Sequence, residues 1–185
     1  MELTVTQAQS DMRRGYCSGA AGILASALAW SAAAGTAAFV SPQNAIWVLL
    51  VGGALIHPAS VLICRLLGAT GSHDKGNPLG LLAGASTFWL IFCLPLAYGL
   101  GLQDPAWFFA AMLLVIGGRY LVFGTLFGMR LYWALGLALA AAGFGLAWLG
   151  AAAPVIVAVG AATEAAFGLA CVAQHRRGRT SVRPD

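Results

Sequence analysis

Six long apolar stretches follow one another along the chain with only short polar interruptions. They cover roughly residues 18–40, 44–67, 78–102, 105–128, 130–150 and 153–174. A helix needs about 20 mostly apolar residues to cross a bilayer, because each residue adds about 1.5 Å and the hydrocarbon core is about 30 Å thick. None of the stretches alternates apolar and polar residues as a membrane-barrel strand does. The sequence therefore predicts an all-α integral membrane bundle of six transmembrane helices.

The composition excludes the common soluble classes. Apolar residues make up 60% of the 185 residues and charged residues only 9%, whereas a soluble domain is about one quarter charged. So few charges cannot cover a water-facing surface, which excludes a soluble enzyme or a nucleic-acid-binding protein. We divide the chain into a cytoplasmic N-terminal segment (1–17), the membrane domain (18–174) and a basic cytoplasmic tail (175–185) that is expected to be disordered. The lipid bilayer is the predicted partner.

Positive charge gathers on one side of the predicted spans. Nine of the ten Lys and Arg residues lie there: Arg13, Arg14, Arg65, Lys75, Arg130, Arg176, Arg177, Arg179 and Arg183. Lys and Arg in short loops are retained on the cytoplasmic side of a membrane. Because the number of spans is even, this distribution predicts that both termini are cytoplasmic.

Three ionisable residues lie deep inside the predicted spans, away from the span ends: His57, Arg119 and Glu164. Ionisable side chains are costly inside a bilayer, so each is a candidate for binding a ligand or a proton. At about 1.5 Å per residue, Glu164 lies roughly 15 Å and the other two roughly 20 Å from the outer ends of their helices. Similar depth permits one polar cluster. The structural alternative is a buried Glu164–Arg119 ion pair that only fixes helix packing, with His57 as a structural histidine.

A second group of candidates lies in the inner loop between spans two and three. This loop, residues 68–77, reads GATGSHDKGN and contains His73, Asp74, Lys75 and Asn77. A membrane enzyme could use these side chains at the level of the lipid headgroups. The loop has no second acidic cluster, and the chain contains no complete catalytic motif, so the sequence leans against an enzyme.

The cysteines and glycines predict structural roles. Cys17, Cys64, Cys93 and Cys171 show neither CxxC pairing nor metal-ligand spacing, so we expect free thiols, no metal and no cofactor. Small residues let helices approach closely in lipid. Gly160, Ala161 and Gly168 form such a stripe on span six, which we expect to pack within the subunit, with a homodimer seam as the alternative.

The run Lys75–Gly80, KGNPLG, resembles the K-x-NPLG segment that lies between spans two and three in a family of small uncharacterised bacterial six-span membrane proteins. The resemblance also extends to the length, the N-terminal segment and the proline-bearing second span. It implies a multi-pass protein of the bacterial inner (cytoplasmic) membrane and implies no activity. Arg119 departs from the pattern, since a less charged residue is expected there.

Three functional hypotheses stay open. The first is a small transporter-like or channel-like protein whose polar cluster of His57, Arg119 and Glu164 binds a small polar solute or relays protons, with a homodimer as a possible assembly. The second is a membrane-embedded enzyme or accessory factor that acts on lipid through the inner loop. The third is a structural or interaction protein whose buried charges only set packing.

Overall fold

The computed structural model describes residues 3–180, in which there are seven α-helices and no strand. The helices are α1 (Val5–Gly15), α2 (Ala20–Phe39), α3 (Pro42–Leu66), α4 (Leu79–Gly101), α5 (Pro105–Phe127), α6 (Arg130–Trp148) and α7 (Ala153–Thr180), and a short 3-10 turn at Cys17–Gly19 joins the first two. Six of the helices are long and apolar enough to cross a membrane, which confirms the six predicted spans.

Local capping residues set where the membrane helices begin and end. Ser41 accepts a hydrogen bond from the Asn44 N–H (3.1 Å) and is followed by a proline in the first turn of α3. Asp104 likewise accepts a hydrogen bond from the Ala106 N–H (2.8 Å), and α5 also begins with a proline. Serine or aspartate followed by proline is a preferred helix start. The side-chain oxygen accepts a hydrogen bond from a free backbone N–H of the first turn, and proline has no N–H that would need a partner there. At Gly128 the chain turns left-handed (φ 62°), as only glycine does easily, and α5 ends.

Four helices, α2, α5, α6 and α7, surround the buried core. Its largest fully buried apolar side chains come from all four helices: Trp30, Tyr132, Phe108, Phe109, Ile23, Leu113, Leu126, Leu135, Leu139, Ile156 and Val157. Glycines allow the close approaches, since a Cβ on Gly117 of α5 would lie 2.7 Å from the Gly136 carbonyl oxygen of α6. The glycine stripe on α7 packs within the subunit: a Cβ on Gly160 or Gly168 would lie 2.9 and 2.8 Å from Leu113 and Leu24.

The remaining two membrane helices lie outside this core. Helix α3 packs on α2, and α4 packs on α5. Their ends meet where Trp47 contacts Tyr98, with 5.7 Å between the ring centroids. Most of their large apolar side chains are exposed, among them Val51, Leu55, Leu62, Phe88, Trp89, Phe92 and Leu96. Such an apolar surface suits contact with lipid rather than with water.

Helix α1, the inner loop and the end of α5 lie together at one end of the bundle, which we call the basic end. There Gln9 of α1 donates to the Thr125 carbonyl (2.9 Å), and Arg13 donates to the Phe127 carbonyl. No helix was expected in residues 1–17, so α1 is a finding of the structure. The expectation of a disordered tail is wrong for residues 175–180, which continue α7, while Arg183 and the rest of 181–185 lie outside the described residues.

Candidate functional site

Glu164 lies at the centre of the four-helix core and is fully buried, with 0% of its surface exposed. Its Oε1 atom accepts a hydrogen bond from the Tyr120 hydroxyl of α5 at 3.2 Å, whereas its Oε2 atom has no hydrogen-bond partner. No salt bridge reaches this carboxyl from any residue that the structure describes. An ionised carboxylate without a countercharge is very costly in hydrocarbon, so Glu164 must either carry a proton or hold a cation.

The packing of α2 against α7 determines what faces Glu164. The two helices run antiparallel, and Gly168 contacts Leu24 while Gly160 contacts Trp30. Between these two contacts, Ser26 of α2 lies beside both Tyr120 and Glu164. The Trp30 indole N–H, one turn from Ser26, is buried and also lacks an acceptor. One face of this interface therefore holds an unused donor and an unused acceptor, which is rare in a packed protein core.

Polar groups continue from Glu164 to the basic end. The Tyr120 ring stacks on Tyr132 of α6, with 6.0 Å between the centroids, and the Tyr132 hydroxyl donates to the Ser18 carbonyl at 2.7 Å. The Ser18 hydroxyl in turn hydrogen-bonds to His175 Nδ1 at 2.9 Å. His175 lines a cavity of about 170 Å³ at the basic end. We call Glu164, Tyr120, Tyr132, Ser18 and His175 the polar file.

Arg119 points away from this site. Consecutive residues of an α-helix project about 100° apart, so Arg119 faces α4 while Tyr120 faces α7. The Arg119 guanidinium donates to the Thr87 hydroxyl at 3.0 Å and lies 5.2 Å from the centroid of the Phe123 ring. Its Nε atom is buried without an acceptor. The Glu164–Arg119 ion pair that the sequence suggested does not form, because the two side chains belong to different helix interfaces.

His57 is the third intramembrane candidate, and its side chain is exposed on α3. Its carbonyl oxygen accepts a hydrogen bond from the Ser60 hydroxyl at 2.8 Å, within the same helix. No hydrogen bond or ion pair joins His57, Arg119 and Glu164 to one another in residues 3–180. The structure thus divides the expected three-residue cluster into three separate environments and adds Tyr120 as the partner of Glu164.

The inner loop holds α1 through the side chains of His73 and Asn77 and the backbone N–H of Asp74, whereas the Asp74 carboxylate accepts from the Gly76 N–H at 2.8 Å. Asn77 is buried and donates to the Ala8 carbonyl and to the Asp11 carboxylate, both at 2.9 Å. The Asp74 N–H donates to the same carboxylate at 3.0 Å. His73 Nδ1 hydrogen-bonds with the Tyr16 hydroxyl at 2.9 Å, and its ring contacts Gly80.

Two further observations concern Lys75 and Asn77 of this loop. Lys75 is exposed. Asn77 also accepts from the Leu79 N–H at 3.0 Å, so it starts α4 as well as docking α1. Asn77, the first residue of the NPLG run, therefore joins α1 to α4. No group of three or more His, Cys, Asp or Glu residues in the described chain is placed to hold a metal ion.

Burial and hydrogen bonding act in opposite directions on the carboxyl that docks α1. Partial burial by itself raises the pKa of Asp11, but hydrogen bonds from Asn77 and the Asp74 N–H, together with the nearby charges of Arg14 and His73, outweigh it. The net result is a pKa below the ordinary value of 3.8. The docked state of α1 therefore favours the ionised carboxylate.

Sequence reasoning found Glu164 but missed Tyr120, Tyr132 and Ser26. Each is a hydroxyl-bearing residue inside an apolar stretch, and such residues are frequent in membrane helices without being functional. The depth of each residue along its span could be estimated from the sequence, but the direction of its side chain could not. Only the helix-packing arrangement tells which face of each helix meets α7.

Residues 5–174, nearly the whole chain, match the family of unknown function DUF7010. The chain belongs to this family. No curated protein and no solved structure matches it.

Proposed function

We propose that this DUF7010 protein is a small transporter-like or channel-like protein in which Glu164 binds a proton or the cationic group of a small polar solute. The carboxyl's unpartnered Oε2 atom in a fully buried position is the observation on which the proposal rests. A buried carboxyl that served packing alone would gain by pairing with a donor, because an unsatisfied buried polar group destabilises the fold. A free acceptor is what an exchangeable proton or cation requires.

The surroundings of Glu164 support this reading over a purely structural one. Tyr120 and Ser26 provide hydroxyls that can orient the carboxyl without neutralising it. The polar file runs from the carboxyl towards a cavity at the basic end, and His175 lines that cavity. The hydroxyl and imidazole groups on this route can each donate and accept a hydrogen bond, whereas the step between Tyr120 and Tyr132 is a ring stack and the Ser18 carbonyl only accepts.

The proposal leaves the other intramembrane candidates outside the binding centre. His57 is exposed and Arg119 is bound to Thr87, so we assign them to the lipid-facing surface and to the α4–α5 interface. The lipid-enzyme alternative loses support for a similar reason. The side chains of His73 and Asn77 hold α1, and the Asp74 carboxylate accepts a hydrogen bond from the loop's own Gly76 N–H.

For the cellular setting, we place the protein in the bacterial inner membrane with the basic end in the cytoplasm. Positive residues of short loops stay cytoplasmic, and α1, the inner loop and the end of α7 bring most of them to one end. The bacterial origin and the K-x-NPLG signature rest on the resemblance of Lys75–Gly80 alone.

The test is a flux measurement on purified protein in sealed liposomes. An imposed proton gradient should decay faster with the wild-type protein than in empty liposomes, as followed by a trapped pH-sensitive dye, or the same should hold for a small-cation gradient. Glu164→Gln should return the rate to that of empty liposomes. Tyr98→Phe, which alters a half-buried tyrosine outside the core, is the matched control and should keep the wild-type rate. Wild-type flux in a folded Glu164→Gln protein would refute the proposal.

A further inference from the structure

Two cysteines that lie far apart in the sequence are in contact at the basic end. Cys17, in the turn before α2, and Cys64, in the last turn of α3, form a buried cluster with Ala21. Their side chains are 3% and 1% exposed and interact directly with each other. No sequence spacing predicts this pair, since it arises only because the start of α2 packs on the end of α3.

The backbone at Cys17 is held in an uncommon conformation. Cys17 and Ser18 have φ values of 52° and 57°, in the left-handed region that non-glycine residues rarely occupy. Such strain persists only where surrounding contacts impose it, and it is concentrated at functional sites. The contacts are present here: Gly71 donates to the Gly15 carbonyl at 2.9 Å, and Tyr132 donates to the Ser18 carbonyl at 2.7 Å.

A cavity lies beside the pair. Cys17 is one of the residues that line the cavity of about 170 Å³ at the basic end, together with Leu67, His175 and Arg176. A small polar oxidant in that cavity would meet Cys17 first, and Cys64 contacts Cys17 within the buried cluster. A redox-active pair needs this division of roles, in which one thiol reacts with the oxidant and a neighbouring thiol resolves it.

We propose that Cys17 and Cys64 are a reversible dithiol–disulfide site that is oxidised by a peroxide. The Cys17 sulfur attacks the O–O bond of hydrogen peroxide, which breaks to give a sulfenic acid on Cys17 and one water. The Cys64 sulfur then attacks the sulfur of that sulfenic acid, and the hydroxyl leaves with the Cys64 proton as a second water. One peroxide is reduced, two thiols are oxidised, and an added dithiol reverses the reaction by exchange.

The other two cysteines serve as internal controls. Cys171 is buried, and its thiol donates to the Ser18 carbonyl at 3.4 Å. Cys93 lies on α4 and is half-buried. The disulfide would tie the α1–α2 junction to the end of α3 and leave both of these thiols reduced.

The experiment treats the full-length protein in lipid nanodiscs with hydrogen peroxide and counts free thiols after denaturation. The wild-type protein, with four cysteines, should lose two thiols, remain monomeric on a non-reducing gel and recover both thiols with dithiothreitol. Mass spectrometry should identify a linked peptide pair that contains Cys17 and Cys64. The Cys93→Ser and Cys171→Ser variants should still lose two thiols. The Cys17→Ser and Cys64→Ser variants should form no intramolecular disulfide.

The wild-type measurement tests the proposal even if a serine variant fails to fold. Retention of all four thiols in the peroxide-treated wild-type protein would overturn the proposal. A linked peptide that joins Cys17 to Cys171, or only intermolecular links, would overturn it equally.

Discussion

Glu164 and Arg119 differ in role because of the direction in which each side chain points, although both are charged residues inside a predicted span. Tyr120, the residue next to Arg119, takes the position facing α7 that Arg119 would have needed in order to pair with Glu164. Helical geometry lets the sequence estimate depth, since every residue adds about 1.5 Å. It does not reveal the rotation of the helix about its axis, which depends on packing with the other helices.

The contact between Tyr120 and Glu164 predicts an energetic coupling that Arg119 should not share. Tyr120→Phe removes the donor to Oε1 and should destabilise the protein by about 1 kcal/mol, the scale of interhelical hydrogen bonds in membranes. Combined with Glu164→Leu, which removes the acceptor, it should deviate from additivity by about 0.5 kcal/mol or more, whereas Arg119→Met with Glu164→Leu should be additive within about 0.5 kcal/mol. Reversible unfolding in detergent measures both cycles. Additivity in the first or coupling in the second would contradict the assignment.

Asp11 gives a pH-dependent prediction at the basic end. Its pKa is lower in the folded protein than the ordinary value of 3.8, so the docking of α1 is stabilised above about pH 4 and loses that stabilisation as the pH falls through the folded pKa. Amide exchange at the Asp74 N–H, which donates to this carboxylate, should therefore become less protected in acid relative to a core amide. Asp11→Asn should remove the pH dependence. Protection of the wild-type amide that stays constant relative to the core amide over the whole acid range in which the protein remains folded would contradict this.

At the level of helices, the approach of α5 to α6 depends on two glycines that face each other. A Cβ on Gly117 would lie 2.7 Å from the Gly136 carbonyl oxygen, while nothing lies within 4 Å of the same position on Gly118. Gly117→Ala should therefore cost about 1–3 kcal/mol through overpacking. Gly118→Ala, one residue away, should be neutral or stabilise by about 0.5–1 kcal/mol. Thermal unfolding of the two variants makes the comparison, and equal melting temperatures would exclude the close approach.

The long helices are predicted from the sequence, but α1 is not, although it begins with a capping box in which Thr4 and Gln7 each accept a hydrogen bond from the other's backbone N–H. Each span carries a long uninterrupted apolar run, and Ser41, Asp104 and Gly128 mark its ends with ordinary capping chemistry. Helix α1 is short and polar, and short isolated helices are marginal in water. The tertiary contacts that hold it, with Asn77, Asp74 and the end of α5, are not contained in any local pattern.

For the whole molecule, the distribution of charge predicts the orientation in the membrane. A reporter that is active only in the cytoplasm should give a signal when fused after residue 185 and none when inserted near Gln103. The inserted position lies between α4 and α5, at the end opposite α1. Signal near Gln103 together with silence at the C-terminus would reverse the orientation and put the polar file in contact with the outer side.

The exposed apolar sides of α3 and α4 are the surfaces through which a homodimer could form. Phe88, Phe92 and Leu96 on α4 and Leu55 and Leu62 on α3 are exposed in the single chain. Lipid satisfies such a surface completely, because lipid tails are as apolar as these side chains. A homodimer stays a prediction, and the transport proposal does not require it, since Glu164 and its partners all lie within one subunit.

The central claim is that Glu164 is an exchangeable carboxyl and not a sealed packing residue. Labelling with a hydrophobic carbodiimide, which modifies protonated carboxyls in apolar surroundings, tests it in the folded protein. Mass spectrometry of protein labelled in membranes should find the adduct on Glu164, and modified protein in liposomes should lose its flux. Absence of the adduct on Glu164 in folded protein, with labelling only after denaturation, would show a sealed carboxyl and contradict the claim.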